Sequence, residues 1–266
     1  MYRQHFGMTG HPFGPDIAID QLHQWRTFGE AKARLSYLFE LGGIGLLTGE
    51  VGAAKTTSVR AVTQQLHPDL FHVLYLANTT GSVTDLYRSV AHHLGIEAPD
   101  RRSVLHDRIH DELLRLNQTR RIRPIMVLDE AQQLTNALLH EVCVMSNFQM
   151  DSKPFLTVLL CGQSPLRVRL NRSSNEPLNQ RVVMRYHMDG MDANEVSPYL
   201  QHHLRRVKAP DNIFSPAAIE AIYRASQGLA RRINRLAEQT LIAAAAARET
   251  MITAEHVRLA VAEVDS

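Results

Sequence analysis

Three features predict an α/β parallel-sheet core followed by a small all-helical domain. Short apolar runs alternate with amphipathic helical patterns to about residue 190, and strand-length runs then stop. The run Ile125–Leu128 is apolar on both faces, as a central parallel strand requires. The run Ile44–Thr48 enters a Gly-containing turn and then a helix start, the arrangement of a phosphate-binding loop.

Residues 1–26 hold Phe6, Pro12, Phe13, Pro15 and Trp25 without periodicity, and read as an irregular arm. Such an arm either packs on the domain or closes over a bound base. The core spans 27–190. Phe28, Ala31, Leu35, Leu38 and Phe39 mark an amphipathic helix that ends at Gly42 and Gly43. After the strand and the loop comes a helix over 55–66, then a second short strand over 71–76. Ser82 and Asp85 form a capping box for a helix carrying Val83, Leu86, Val90 and Leu94, closed by Gly95. A helix over 104–118 follows, with Leu105, Ile109, Leu113 and Leu116 on one face. The strand ending at Leu128 leads to a helix over 135–149 and a strand over 155–161. Ser164 and Pro165 start a short helix. A short helix over 177–180 precedes the last strand, 181–188. In the helical domain, 191–266, Asp192 and Glu195 cap a helix bent at Pro198. Three more helices cover about 215–227, 230–247 and 253–264.

The chain has 266 residues, 44% of them hydrophobic and 21% charged, enough for a sizeable core without a disordered block. A net charge of +2 means that any basic surface is local. The two cysteines, Cys143 and Cys161, lie in apolar segments, as reduced buried thiols do. The histidines are scattered or adjacent, as in His92–His93 and His202–His203, which is the wrong spacing for a zinc site. No apolar run approaches the roughly 18 residues of a membrane span. A cytoplasmic protein without a membrane partner is therefore expected.

The chemistry concentrates at the loop Gly49, Glu50, Val51, Gly52, Ala53, Ala54, Lys55, Thr56 and Thr57. In the pattern G-x-x-x-x-G-K-S/T, backbone N–H groups cradle phosphates, the lysine neutralises them and the hydroxyl holds Mg²⁺. Gly49, Lys55 and Thr56 fit, but Ala54 stands where the second glycine belongs. Asp129 and Glu130 close the apolar strand at its C-terminal edge, where ligands bind in open α/β sheets. There the first acid helps Thr56 hold Mg²⁺ and the second polarises an attacking water. The bland alternative is a pair of acids opening a helix. Gln163, after the next strand, is placed to reach a γ-phosphate, or else only begins a helix. Arg181 is either a finger for a neighbour's site or a surface arginine. Arg231 and Arg232 sit at a helix start, where like charge is mildly unfavourable, and this favours a role at the phosphates.

With these residues assembled, the chain resembles the AAA+ ATPases of the ExeA (GspA) and TniB/TnsC group along nearly its whole length. The matching stretches are Phe6–Gly7 with Pro12–Phe13, the loop 49–57, Leu128–Gln132, Leu160–Leu166, Leu178–Arg181 and Gly228–Asn234. The resemblance implies ATP and Mg²⁺ as cofactors, bound between the core and a helical lid. It makes Glu130, Gln163 and Arg181 the catalytic set and Arg231 the second sensor. It also implies self-assembly into a hexameric or heptameric ring or a helical filament. Ala230 replaces a proline of the group, a mild departure. Ala54 replaces a glycine that lets the backbone pass close to phosphates, so weakened binding or slowed hydrolysis is expected. Secretion members of the group continue into a membrane span. A chain that stops at Ser266 instead looks like the short members encoded with transposases. A DNA-binding regulator of transposition is then expected, with double-stranded DNA and a transposase as partners. Arg88, Arg101 and Arg102 are the candidate backbone contacts, and Lys153, Arg120, Arg121 and Arg123 are weaker ones. The alternative is a secretion or envelope-assembly ATPase acting on protein partners.

Overall fold

The computed structural model describes residues 2–14, 16–77, 81–98, 101–148 and 155–264. Five strands, β1 (Ile44–Gly49), β2 (Phe71–Leu76), β3 (Arg123–Leu128), β4 (Thr157–Gly162) and β5 (Val182–Met188), form one sheet. Its order is β2-β3-β4-β1-β5, and every pairing is parallel. Parallel neighbours need helical crossovers, which cover both faces, so the inner strands must be apolar throughout. All six residues of β1 and of β4 are buried, as are the last five of β3. The outer strands β2 and β5 include half-buried and exposed positions.

The register decides where the chemistry lies. Leu128 pairs with Leu160, and Thr48 pairs with Gly162. Asp129, Gly49 and Gln163 therefore leave the same edge of the sheet. The helices α2 (Arg26–Leu41), α3 (Lys55–Thr63), α4 (Val83–Leu94), α5 (Arg102–Leu114), α6 (Asn136–Met145), α7 (Ser164–Leu170) and α8 (Glu176–Gln180) complete this half of the chain. Its core joins Leu46, Leu74, Val90, Leu105, Met126, Val142 and Leu160. The Ser82–Asp85 capping box forms, and Gly95 closes α4 at φ 70°.

Several boundaries differ from the sequence expectation. Helix α3 stops at Thr63, because Gln65 and Leu66 turn back to Val62 and Thr63 with tighter i→i−3 bonds. Helix α5 begins at Arg102 and runs into a π-helical turn, Arg115–Thr119. Helix α6 ends at Met145, and residues 149–154, including Lys153, lie outside the described residues. Arg181 is the C-cap of α8 rather than the first residue of β5.

Contacts divide the chain into two compact units. One comprises residues 30–49 and 55–188, and the other residues 1–29, 50–54 and 189–266. The second unit contains α9 (Ala193–Arg206), α10 (Pro216–Ser226), α11 (Ala230–Ala246) and α12 (Ala254–Val264), with a short helix α1 (Tyr2–His5) in the arm. Asp192 and Glu195 form the predicted capping box at α9, which continues through Pro198. The arm packs on these helices. Trp25 stacks on Phe28 with ring centroids 4.6 Å apart and meets Tyr199 edge-on. Tyr2 donates to Glu238 at 3.1 Å, and the Arg26 amide donates to Glu195 at 2.7 Å. His203 Nδ1 and Arg206 Nη1 both lie on the Pro12 carbonyl, at 3.1 and 3.3 Å. Burial drives the His203 pKa down to about 3, so this ring is neutral at ordinary pH and donates through Nδ1.

Candidate nucleotide site

The loop leaves β1 at Gly49, and Ala53 closes a turn onto the Glu50 carbonyl at 3.1 Å. Glu50 and Val51 are exposed at its tip. Two residues take the left-handed backbone region, Gly52 at φ 90° and Ala54 at φ 69°. Lys55 then opens α3, buried, with Nζ 3.0 Å from the Gly49 carbonyl, and Thr57, in the first turn of that helix, is half-buried.

Ala54 therefore does not reshape the turn. It adopts the conformation a glycine would take and carries the Cβ penalty of about 1–2 kcal/mol. Replacing Ala54 by glycine relieves that strain but loosens the unfolded chain, at a cost of about 0.4–1 kcal/mol. Strain is the larger effect, so Ala54→Gly is expected to raise Tm by a few degrees and to tighten ATP binding. Equal ATP affinity and equal turnover in the two proteins would defeat this account, and thermal melts with nucleotide titrations measure it.

Within the helical unit, the Arg231 amide donates to the Gly52 carbonyl at 3.2 Å. A Cβ on Gly52 would lie 2.9 Å from the Arg231 Cβ, so glycine keeps the start of α11 close. The Arg231 side chain is exposed.

In the sheet unit, Asp129 is buried and surrounded by donors. Its Oδ2 accepts from Thr56 Oγ1 at 2.9 Å and from the Tyr75 hydroxyl at 2.6 Å, and its Oδ1 accepts from the Glu130 amide at 2.9 Å. Burial and the bond to Asp129 push the Tyr75 phenol above its ordinary range, which keeps it a donor. The thiol of Cys161 is likewise pushed up, by burial first and then by the Asp129 charge. Thr56 and Asp129 thus meet as two oxygen ligands of a hard divalent cation would. Lys55, the next residue back, supplies the positive charge a phosphate needs. The residues fit ATP with Mg²⁺.

Glu130 is also left-handed, at φ 51°. This turns its carboxylate toward the end of β4. Oε2 accepts from Gln132 Nε2 at 2.6 Å and from Gln163 Nε2 at 3.3 Å. Glu130 and Gln163, 33 residues apart, are therefore neighbours. Sequence reasoning missed Tyr75 and the position of Gln132. Tyr75 is an isolated tyrosine on an outer strand and carries no motif. Gln132 ends the stretch Leu128–Gln132, but its spacing assigns it no chemistry.

Arg181 donates from Nη1 to the Cys143 carbonyl at 3.1 Å, at the C-terminal turn of α6, where positive charge suits the helix dipole. Arg88 is exposed, 4.0 Å from Asp85. Arg101 is exposed at the start of α5. Arg102 is committed to a pair with Glu141 at 2.7 Å and lies 5.6 Å above the Tyr87 ring. Tyr87 donates to the other Glu141 oxygen.

Residues 40–170 match the family described as AAA domain. The fold is the AAA+ P-loop fold. Cdc6p from Pyrobaculum aerophilum superposes with a TM-score of 0.72 at 18% identity, covering 95% of this chain and 70% of that one. The Aeropyrum pernix ORC1 protein, solved in complex with DNA, superposes at 0.69 with 19% identity, covering 95% and 68%. The RuvB branch migration motor of Thermotoga maritima superposes at 0.60 with 18% identity, covering 95% and 73%. At these identities the likeness carries the AAA+ architecture alone. In sequence, the chain is 34% identical over 267 residues to General secretion pathway protein A of Aeromonas hydrophila. That alignment covers 99% of this chain and 48% of the relative, so the chain spans about half the relative's length. Among the described residues, no helix is long and apolar enough to cross a membrane.

Proposed function

We propose that this AAA+ chain binds ATP with Mg²⁺, hydrolyses it, and uses the cycle to act on a protein partner, as a secretion-type ATPase. The observation that carries the nucleotide reading is the bond between Thr56 and Asp129, 73 positions apart, beside the buried Lys55. Bound ATP would supply the phosphoanhydride, and Mg²⁺ would neutralise its charge. Gly49–Thr57 would cradle the phosphates, with Lys55 on their oxygens and Thr56 and Asp129 as the metal's protein partners. Glu130 would polarise the water in line with the γ-phosphate, and Gln163 would contact that phosphate. Arg181 would reach the site of a neighbouring copy in a ring or filament. Arg231 would sense nucleotide from α11.

The choice of partner rests on the 34% identical relative, whose name is that of a secretion pathway protein. That favours a protein partner over the transposition regulator bound to duplex DNA and a transposase. Of the three arginines that the DNA reading needs, Arg102 pairs with Glu141 at 2.7 Å and Arg88 lies 4.0 Å from Asp85, and all three are exposed. The test is anisotropy of a labelled random duplex at low salt, with and without ATP, beside sedimentation of the protein alone. ATP-dependent self-association without DNA binding is expected. Tight, ATP-dependent DNA binding that weakens steeply with salt would overturn the proposal in favour of the DNA-bound regulator.

A further inference from the structure

The polar groups at the C-terminal ends of β3 and β4 form a closed ring. Gln132 Nε2 donates to Glu130 Oε2 at 2.6 Å, and the Gln163 amide donates to Gln132 Oε1 at 3.0 Å. The Gln163 side chain returns to Glu130 Oε2 at 3.3 Å. The orientation of the Gln132 amide is not ambiguous. A backbone N–H can only donate, so the oxygen of Gln132 must face Gln163, and its NH₂ must face the carboxylate. Two further features keep the amide in place. Arg169 donates to the carbonyls of Gln132 and Ala131 at 3.2 and 3.4 Å, pinning the turn. Gly162 has no Cβ, and one built there would lie 2.8 Å from Gln132 Oε1.

We infer that Gln132 is a positioning residue for hydrolysis, holding the Glu130 carboxylate in a single orientation from the rigid end of β4. The longest bond of the ring is the one from the Gln163 side chain. If that side chain turns to a phosphate, Glu130 keeps its shorter bond to Gln132 and does not swing free. The carboxylate's direction is then set by the end of the sheet rather than by the ligand. This inference rests on the ATPase reading of the site.

The test uses Gln132→Met, which keeps the length of the side chain and removes both polar ends, together with Glu130→Gln and the double variant. ATP affinity, single-turnover hydrolysis and Tm are measured on each. Losing a hydrogen bond to a charged group predicts a fall in turnover of about tenfold or more, with ATP affinity and Tm little changed. In the Glu130→Gln background, Gln132→Met should slow hydrolysis no further, because the two act as one unit. Gly162→Ala, which displaces the same amide, should also lower turnover without loss of ATP binding. Turnover of Gln132→Met within about twofold of the parent would overturn the inference, as would losses that multiply in the double variant. A loss confined to ATP affinity would overturn it too. If the parent binds ATP but does not hydrolyse it, and Glu130→Gln changes nothing, the ATPase reading itself falls and takes the inference with it.

Discussion

Glu130→Gln is expected to slow ATP turnover by roughly 100-fold or more while ATP remains bound, because a positioned base contributes about 10²–10⁴ to such a step. The substitution is nearly isosteric. Its amide oxygen can still accept from Gln132, so the ring around Gln163 keeps one of its bonds to residue 130. The loop, Lys55 and the Thr56–Asp129 contact are untouched, so nucleotide affinity should change little. What disappears is the negative oxygen that, on the proposed mechanism, would take a proton from water. Single-turnover hydrolysis and nucleotide titration on the same preparation separate the two effects. Turnover equal to the parent's would remove Glu130 from the chemistry and leave it as the polar start of a turn.

Gly228→Ala should lower Tm by roughly 10 °C, by a cost of about 3 kcal/mol or more to the helical unit. Gly228 stands at φ 73°, where a side chain already costs about 1–2 kcal/mol. The added Cβ would overlap the Met191 carbonyl oxygen and lie 2.7 Å from the Met191 nitrogen. These are backbone atoms, and they cannot step aside as a flexible side chain can. The same pair of segments is joined by the Met191 amide bond to the Gly228 carbonyl at 2.8 Å. A Cβ on Gly190 would in turn meet the Gln227 carbonyl oxygen. Two glycines thus let the entry to α9 lie against the exit of α10. Thermal melts of parent and variant decide the matter. An unchanged Tm would mean that this junction relaxes without cost.

Much of the molecule follows from local physics. The strand at Ile44, the phosphate loop, the capping boxes at Ser82 and Asp192 and the left-handed Gly95 depend on neighbours within a few residues, and all are legible in the chain. So is the helical character of the segment after Met188, because the apolar period changes there.

Tertiary structure alone decided the remainder. The order β2-β3-β4-β1-β5 sets which strand ends are adjacent, and no local pattern encodes it. Tyr75 reaches Asp129 across 54 positions, and Gln163 reaches Glu130 across 33. Arg102 reads as a free surface charge until Glu141, 39 positions away, is seen beneath it. Ala54 shows the division most clearly. The sequence determined that a Cβ stands where a phosphate loop wants none, leaving crowding or strain as its consequence. The folded chain shows the strain, with Ala54 at φ 69°, in the left-handed region that a glycine occupies without penalty.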